Sequence, residues 1–283
     1  MQCISSRLKF FLLAISVSTA LLEPSKYAWA NPRAEELCNK ATTEFKDLKS
    51  KDLAIKHIDE ALAIEPNNAH FWQIKAGFLQ GNQESEKALP CINKSLQLDN
   101  KPGYPHKLKA EILNSLNRFD EAIASVNCAI SRNPQPDYFY SRAKIFMKHG
   151  KLDLAEKELD KLIDSNPNDM MAHTQRASVA IRAKHWPKAI ADLTYSINKS
   201  PVKNLSYYED LLSRTEAYTE TKQYEKAIAD CKIGLKGQPE ARQFHAALVK
   251  IYELSGNASE ARRARKELET VDNDLQPPKS FGF

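Results

Sequence analysis

An alanine recurs about every 34 residues along most of this chain, and this period constrains the fold more than any other feature of the sequence. Successive alanines are 34, 34, 33, 34, 38 and 34 residues apart. An apolar or small residue usually follows each alanine by four and by seven positions, and a proline or asparagine follows by twelve. Spacings of zero, four and seven lie on one face of an α-helix, and a proline beyond them ends it. The repeated alanines are Ala54, Ala88, Ala122, Ala155, Ala189, Ala227 and Ala261.

A second helical segment precedes the alanine in six of these units. A mostly small residue stands twelve positions before the alanine, and a bulkier apolar or aromatic residue often follows it by three. Each unit is therefore predicted to be two antiparallel helices joined by a tight turn. The residues at the upstream position are Ala76, Ala110, Ala143, Ala177, Thr215 and Val249.

The period of about 34 residues and the residue types that recur at fixed positions within it together resemble the tetratricopeptide repeat (TPR). Trp72 with Leu79, and Phe139 with Ala143 and Phe146, match its first helix. The resemblance implies an all-α fold, a right-handed superhelical solenoid of about seven helix-turn-helix repeats over residues 31–274. The repeats are predicted at about 35–68, 69–102, 103–135, 136–169, 170–203, 208–241 and 242–274.

Three departures from the pattern carry structural expectations. Pro90 falls within the second helix of repeat two, where it should remove a hydrogen bond and kink the helix. Four extra residues within Lys203–Tyr208 should lengthen the connection before repeat six. Arg265 replaces the apolar residue four positions after the last alanine, which is expected of a polar cap at the end of a solenoid.

The first thirty residues are typical of a cleavable export signal. Arg7 and Lys9 precede the uncharged run Phe10–Leu22, and Ala28 and Ala30 supply small residues before the predicted cleavage site. The run is shorter than the roughly 20 residues that span a bilayer as a helix. We therefore expect an exported protein, periplasmic or secreted, with no integral membrane segment after cleavage. An uncleaved N-terminal anchor is the alternative.

Composition argues for a soluble helical domain and against nucleic acid as a partner. Hydrophobic residues make up 42% and charged residues 27%, and glycines number only eight. Without residues 1–30 the formal net charge falls from +5 to +3, with both signs interspersed. Residues 275–283, which contain Pro277-Pro278, are predicted to be a disordered tail.

Four cysteines remain after the predicted signal, and their wide spacing gives neither a compact disulfide framework nor a metal-ligand pair. Buried free cysteines are the favoured interpretation, with Cys91–Cys128 as the candidate if one bridge forms. Asn93, Asn198 and Asn257 are among the Asn-x-Ser positions, which would be glycosylated only in a eukaryotic host.

Motifs for catalysis, phosphate binding or metal binding are missing from the sequence. His106, His173 and His245 share one repeat position, but repeats four and six lack a histidine there, so packing is favoured over metal binding. We expect no enzyme activity, no cofactor and no metal.

Recognition of another protein is the function that remains. In the TPR family the first helices line the concave surface, so the stripe one residue beyond their packing positions is predicted to face a ligand. Its middle is basic, which suits an extended protein or peptide segment with acidic side chains. The candidate groove residues are Tyr104, Lys107, Asn114, Tyr140, Lys144, Lys148, Thr174, Ser178 and Arg182.

Other interpretations stay open. A solvated helix surface explains the same stripe without a ligand, since basic residues are common on any helix. The function could instead be that of a structural subunit of a cell-envelope or secretion assembly, and an enzyme with an unrecognised site is a remote alternative. The carboxylate clamp of chaperone-binding family members is not matched, since its first pair reads Asn39 and Thr43. Partner identity and oligomeric state are not specified.

Overall fold

The computed structural model of the protein describes residues 31–47 and 50–274. Those residues form fourteen α-helices and no β-strand. The predicted export signal, residues 1–30, and the predicted tail, residues 275–283, lie outside the described residues. The helices are α1 (Pro32–Glu44), α2 (Lys51–Ile64), α3 (Ala69–Gly81), α4 (Ser85–Leu98), α5 (Gly103–Ser115), α6 (Phe119–Arg132), α7 (Pro136–Lys148), α8 (Leu152–Ser165), α9 (Met170–Arg182), α10 (Trp186–Lys199), α11 (Leu205–Glu220), α12 (Tyr224–Gly237), α13 (Arg242–Leu254) and α14 (Ala258–Asp274).

Consecutive helices pair as hairpins, with the odd-numbered helix first and the even-numbered helix second. They belong to two compact units, one that contains α1 to α4 and one that contains α5 to α14. Within each unit the second helix of a hairpin also contacts the first helix of the next hairpin. The all-α architecture of helix-turn-helix repeats predicted from the sequence is confirmed, as two hairpins in one unit and five in the other.

The repeated alanine is a buried residue of the second helix in every hairpin. Six of the seven are completely buried, and Ala261 is 6% exposed. The residue four positions later is also buried in the first six hairpins, from Ile58 to Cys231. A methyl group at the crossing lets the helix axes approach, and the larger side chain one turn later fills the space beside it.

The six hairpin turns from that between α3 and α4 to that between α13 and α14 close with the same backbone motif. One residue adopts a positive φ, and the N–H of the next residue donates to the carbonyl five positions earlier at 2.7–2.9 Å. This Schellman arrangement uses carbonyl groups left free at the helix end. Glycine occupies the positive-φ position only at Gly150 and Gly256. The other four residues there are Gln83, Asn117, Lys184 and Lys222.

The insertion before repeat six is absorbed differently from the expectation. The connector between α10 and α11 has five residues, 200–204, against three or four at the other connectors between hairpins. Most of the extra length instead extends α11, which has 16 residues where every other first helix has 13. The Asn204 side chain accepts a hydrogen bond from the Tyr207 N–H and so caps the longer helix. The helix begins at Leu205, three residues before the predicted start of the repeat at 208.

Two further expectations concern single residues in second helices. Helix α4 continues from Ser85 to Leu98 without interruption, and Pro90 lies within it with its side chain exposed. Arg265 on α14 is exposed and forms an ion pair with Glu253. A charged side chain therefore occupies the position where six other second helices bury an apolar one, as a cap requires.

Replacing Lys184 by glycine is expected to stabilise the protein by about 0.5–1 kcal/mol, because its φ of 59° disfavours a residue with a Cβ atom. The matched control is Gly150→Ala, which adds a Cβ at the equivalent turn with a φ of 70° and should destabilise by a similar amount. Urea unfolding followed by circular dichroism measures both changes. A change in the free energy of unfolding that has the same sign for both substitutions would contradict this account of the turns.

Asp210 on α11 is buried and accepts a hydrogen bond from Ser196 on α10. Burial raises the pKa of its carboxyl group above the ordinary 3.8, although the Ser196 hydrogen bond acts in the opposite direction. The folded pKa therefore exceeds the unfolded one. The ionised group destabilises the fold at neutral pH, and the penalty is lost as the pH falls through the folded pKa.

Asp210→Asn is expected to raise the free energy of unfolding at pH 7, because it removes a desolvated charge while keeping an acceptor for Ser196. The gain should shrink as the pH falls through the folded pKa, where the parent carboxyl group takes up its proton. Asp192→Asn is the control, since Asp192 is equally buried but paired with Arg176, and it should destabilise at pH 7. A gain that is independent of pH would refute the assignment to the Asp210 charge.

Candidate functional site

First helices of neighbouring hairpins lie side by side in the second unit, where α5 contacts α7 and α11 contacts α13. We call the surface along these helices the first-helix face and define it by the predicted groove residues on α5, α7 and α9. A hydrogen bond crosses this face where the Ser141 hydroxyl on α7 donates to Glu111 Oε1 on α5 at 3.0 Å. This hydrogen bond joins α5 to α7.

Lys107 on α5 is buried and already neutralised. Its Nζ lies 2.9 Å from Asp137 Oδ2 and 3.2 Å from Glu111 Oε1, and it also lies 5.6 Å from the centroid of the Tyr104 ring. Desolvation acts to lower the pKa of Lys107, but the attraction of Glu111 and the contact with Asp137 outweigh it and raise that pKa. Lys107 thus joins α5 to α7, and Tyr104 beside it is 44% exposed.

Lys148 and Asn114 form a second connection between α7 and α5. The Lys148 ammonium donates to the backbone carbonyl of Asn114, and the ring of His149 lies 3.2 Å from Asn114 Oδ1. Asn114 is buried by these contacts, whereas Lys148 stays exposed. Its partner is a neutral carbonyl, so the positive charge of Lys148 is not cancelled by an acid there.

Lys144 and Arg182 are two further exposed cations of the face that, like Lys148, have no ion pair among the described residues. Lys144 lies one turn before Lys148 on α7, and Arg182 ends α9. Tyr140 lies one turn before Lys144 and is half-buried. Burial, with a contribution from the nearby Asp169, raises the pKa of its hydroxyl group, so Tyr140 stays neutral at physiological pH.

Thr174 and Ser178 supply the polar part of the face on α9. The Thr174 hydroxyl donates to the Met170 carbonyl at 2.9 Å and lies 3.3 Å from the hydroxyl of Ser196, while Ser178 is exposed and donates to the Thr174 carbonyl. The nine predicted residues thus divide into two groups. Lys107 and Asn114 hold helices together, and the remaining seven line the accessible surface.

The sequence interpretation missed a ladder of arginines that connects the second helices. Arg176 on α9 forms two parallel hydrogen bonds to Asp192 on α10, at 2.7 and 2.8 Å, and a third to Asp160 on α8 at 2.6 Å. Arg214 on α11 does the same with Asp230 on α12 and with the hydroxyl of Thr194 on α10. Each guanidinium therefore joins three helices from two hairpins.

Arg142 on α7 repeats the arrangement with Glu158 on α8 and Asn127 on α6. The carboxylates of Glu158, Asp192 and Asp230 are almost completely buried, with side chains 7%, 2% and 5% exposed. The sequence does contain a pattern that indicates the ladder. Each arginine directly precedes the small residue of a first helix, and each acid follows the repeated alanine by three positions. The ladder lies among the second helices and is a structural feature.

The three histidines that share one repeat position contact backbone carbonyl groups. The Nε2 atoms of His106, His173 and His245 lie 3.2, 3.1 and 2.8 Å from the carbonyl oxygen six residues earlier. Each ring thus ties a first helix to the preceding connector. Among the described residues no group of three or more His, Cys, Asp or Glu side chains is arranged to hold a metal ion.

The four cysteines within the described ranges are all free. Three of them are buried, and burial raises the pKa of the Cys38 thiol to about 11 and that of the Cys231 thiol to about 12. A protonated thiol is a poor nucleophile, so Cys38 and Cys231 act as small apolar side chains. Cys128 is exposed.

Comparison with known proteins agrees with this geometry. Residues 140–197 match the family model described as Tetratricopeptide repeat. The structure is similar to that of PilW, a type IV pilus biogenesis factor, with a TM-score of 0.68 and 18% identity over 77% of this chain and all of that one. The chain has the tetratricopeptide-repeat fold.

Other TPR proteins show the same likeness. The chain is similar to YrrB, described as a TPR protein with an unusual peptide-binding site, with a TM-score of 0.52 and 19% identity over 67% of this chain and 96% of that one. A TPR repeat-containing protein of Methanocaldococcus jannaschii is 24% identical over 81% of this chain and 42% of its own length. The chain spans less than half the length of the curated relatives that it matches.

The described helices are not membrane-spanning segments. Each of them is too short or too polar to cross a bilayer.

Arg214→Met is expected to lower the free energy of unfolding by about 3–5 kcal/mol, because it leaves the buried Asp230 carboxylate without its partner. The double substitution Arg214→Met with Asp230→Leu should recover most of the loss, since no unpaired charge then remains. Arg182→Met, on the exposed face of α9, is the matched control and should change stability by less than about 0.5 kcal/mol. Chemical unfolding of the four proteins checks the set, and a double variant as unstable as Arg214→Met would refute the charge argument.

Proposed function

We propose that this TPR protein is a non-enzymatic scaffold whose first-helix face binds an extended segment of another protein, one that carries acidic side chains. The observation that carries the proposal is the pair Lys144 and Lys148 on α7. Both ammonium groups are exposed, and neither has an acidic partner among the described residues.

The distribution of charge around α7 supports an acidic ligand. Glu111 and Asp137 are both engaged by Lys107, and Asp169 lies near Tyr140, so none of these three carboxylates pairs with Lys144 or Lys148. The positive charge on this part of the face is therefore available to an incoming carboxylate. Hydrogen bonds from an ammonium to a carboxylate are about twice as strong as those between neutral groups, and they strengthen further where water is partly excluded.

The spacing of the helices favours an extended ligand. Packed helices lie about 8–10 Å apart and an extended chain advances about 3.3 Å per residue, so about three residues of ligand cover the step from one first helix to the next. An acidic residue at Lys144 and Lys148 and another near Arg182 would then be about three residues apart. Between them, the half-buried ring of Tyr140 offers apolar contact, and Ser178 offers a hydroxyl group.

The similar proteins support recognition as the general activity. YrrB has a peptide-binding site, and PilW takes part in the biogenesis of type IV pili, which is a process of the cell envelope. We extend the proposal to location on that basis and on the signal-like pattern of residues 1–30. The protein is exported and works in the periplasm or outside the cell. N-terminal sequencing of the protein recovered from its host tests this, and a chain that retains residues 1–30 would contradict cleavage.

Binding through α7 is tested by photo-crosslinking in the host with a photoreactive amino acid in place of Ser178. A partner on the first-helix face should be captured there and not from Lys232, which is exposed on the second helix α12. Combining the probe at Ser178 with Lys144→Glu and Lys148→Glu should lower capture at least tenfold, because two attractive contacts become repulsive.

The matched control carries the same change of charge on another helix. Lys232→Glu with Lys236→Glu alters two exposed lysines of α12 and should leave capture unchanged. Circular dichroism confirms that both double variants are folded. Equal capture by the two double variants, or capture from position 232 alone, would overturn the proposal.

A further inference from the structure

One edge of the second unit carries exposed apolar side chains that the proposed function does not use. We call it the connector edge and define it by Met170, Met171, Lys199, Val202, Lys203 and Leu205. Val202 is 59% exposed and Leu205 is 50% exposed, and the two methionines at the start of α9 are 39% and 59% exposed. These four are nearly half of the large hydrophobic side chains exposed on the described residues.

Polar contacts between the helix ends place these residues at the same edge. Thr174 on α9 contacts Ser196 on α10, and Ser196 donates to Asp210 on α11. The Tyr195 hydroxyl on α10 also donates to Asn168 in the connector before α9, at 3.1 Å. The start of α9, the end of α10 and the start of α11 therefore lie together, with Met170 and Leu205 each about one turn from this junction.

The part of the connector edge that runs from α10 into α11 carries charge of a single sign. No acidic residue occurs between Asp192 and Glu209, whereas Lys199 and Lys203 both do. The ammonium of Lys199 lies 5.9 Å from the centroid of the Tyr195 ring, and that of Lys203 lies 5.8 Å from that of Tyr207. The tyrosine rings hold both lysines beside the exposed apolar side chains, since a cation is attracted to the face of an aromatic ring.

We propose that the connector edge contacts the surface of a lipid bilayer that contains anionic lipids. Val202 and Leu205 would enter the boundary between headgroups and acyl chains, while Lys199 and Lys203 would bind the lipid phosphates. Exposed apolar side chains on this connector, interleaved with lysines and flanked by tyrosines, match the chemistry of that boundary. Such a small contact binds weakly and reversibly, so it sets the orientation of the unit at a membrane.

Hydrogen–deuterium exchange of the full chain tests the proposal, because it reports where the chain meets the vesicle. Vesicles of phosphatidylcholine with about one third phosphatidylglycerol should slow exchange in residues 199–206, and pure phosphatidylcholine should do so much less. Lys199→Ala with Lys203→Ala should lower the apparent affinity for the vesicles by roughly fivefold for each lysine, measured as the lipid concentration needed for this local protection. Val202→Ser with Leu205→Ser should weaken it about tenfold in total.

A matched control changes exposed apolar residues elsewhere. Leu154→Ser with Ile233→Ser alters side chains that are 46% and 41% exposed on α8 and α12, and it should leave protection at 199–206 unchanged. Protection confined to residues 1–30 would mean that another part of the chain binds the vesicle, and would overturn the proposal. The same conclusion would follow from equal protection with both kinds of vesicle, or from no effect of the lysine substitutions.

Discussion

Each hairpin of this protein buries its apolar face only by packing against a neighbouring hairpin, and the rest of the structure depends on that requirement. The completely buried alanines allow the two helices of a hairpin to approach, and the residue one turn later fills the space beside them. A single hairpin would leave much of this surface in water. Stability therefore arises between repeats, as in other stacked-repeat proteins.

Polar groups reinforce the same contacts with directional bonds. The guanidinium groups of Arg142, Arg176 and Arg214 each bind an acid in their own hairpin and a polar group in the preceding hairpin. They therefore fix the register between neighbouring hairpins. A buried ion pair of this kind contributes little net stability over an apolar pair. Removing only one of its two partners is costly, because the other charge is left buried and unpaired. Its effect is to disfavour other relative positions of the hairpins.

The same packing divides the surface into regions with different chemistry. First helices present Lys144, Lys148 and Arg182, where positive charge is not cancelled by the fold, and this is the basis for proposing an acidic protein ligand. The connector edge instead combines apolar side chains with Lys199 and Lys203. A ligand on one region does not require contact with the other, so a protein partner and a membrane surface could be bound together.

The sequence by itself determined the repeat, the all-α fold and the repeat positions whose side chains are buried. These depend on local periodicity and on which residues end a helix, and both are readable from spacing. It also placed the candidate face on the first helices. The sequence did not predict which lysines stay available, because this depends on tertiary contacts. Lys107 pairs with Asp137 on α7, whereas Lys148 meets only a neutral backbone carbonyl of α5.

Tertiary structure decided the features that depend on contacts between distant residues. The insertion before repeat six became most of a helical turn because Asn204 could cap it, rather than a longer connector. Gly234 is small because a Cβ atom there would lie 2.5 Å from the Phe244 ring of the next helix, a contact that no local pattern reveals. The arginine ladder likewise joins residues 15 to 20 positions apart. Local spacing specifies the helices, whereas the partners of each polar side chain are set only when the hairpins stack.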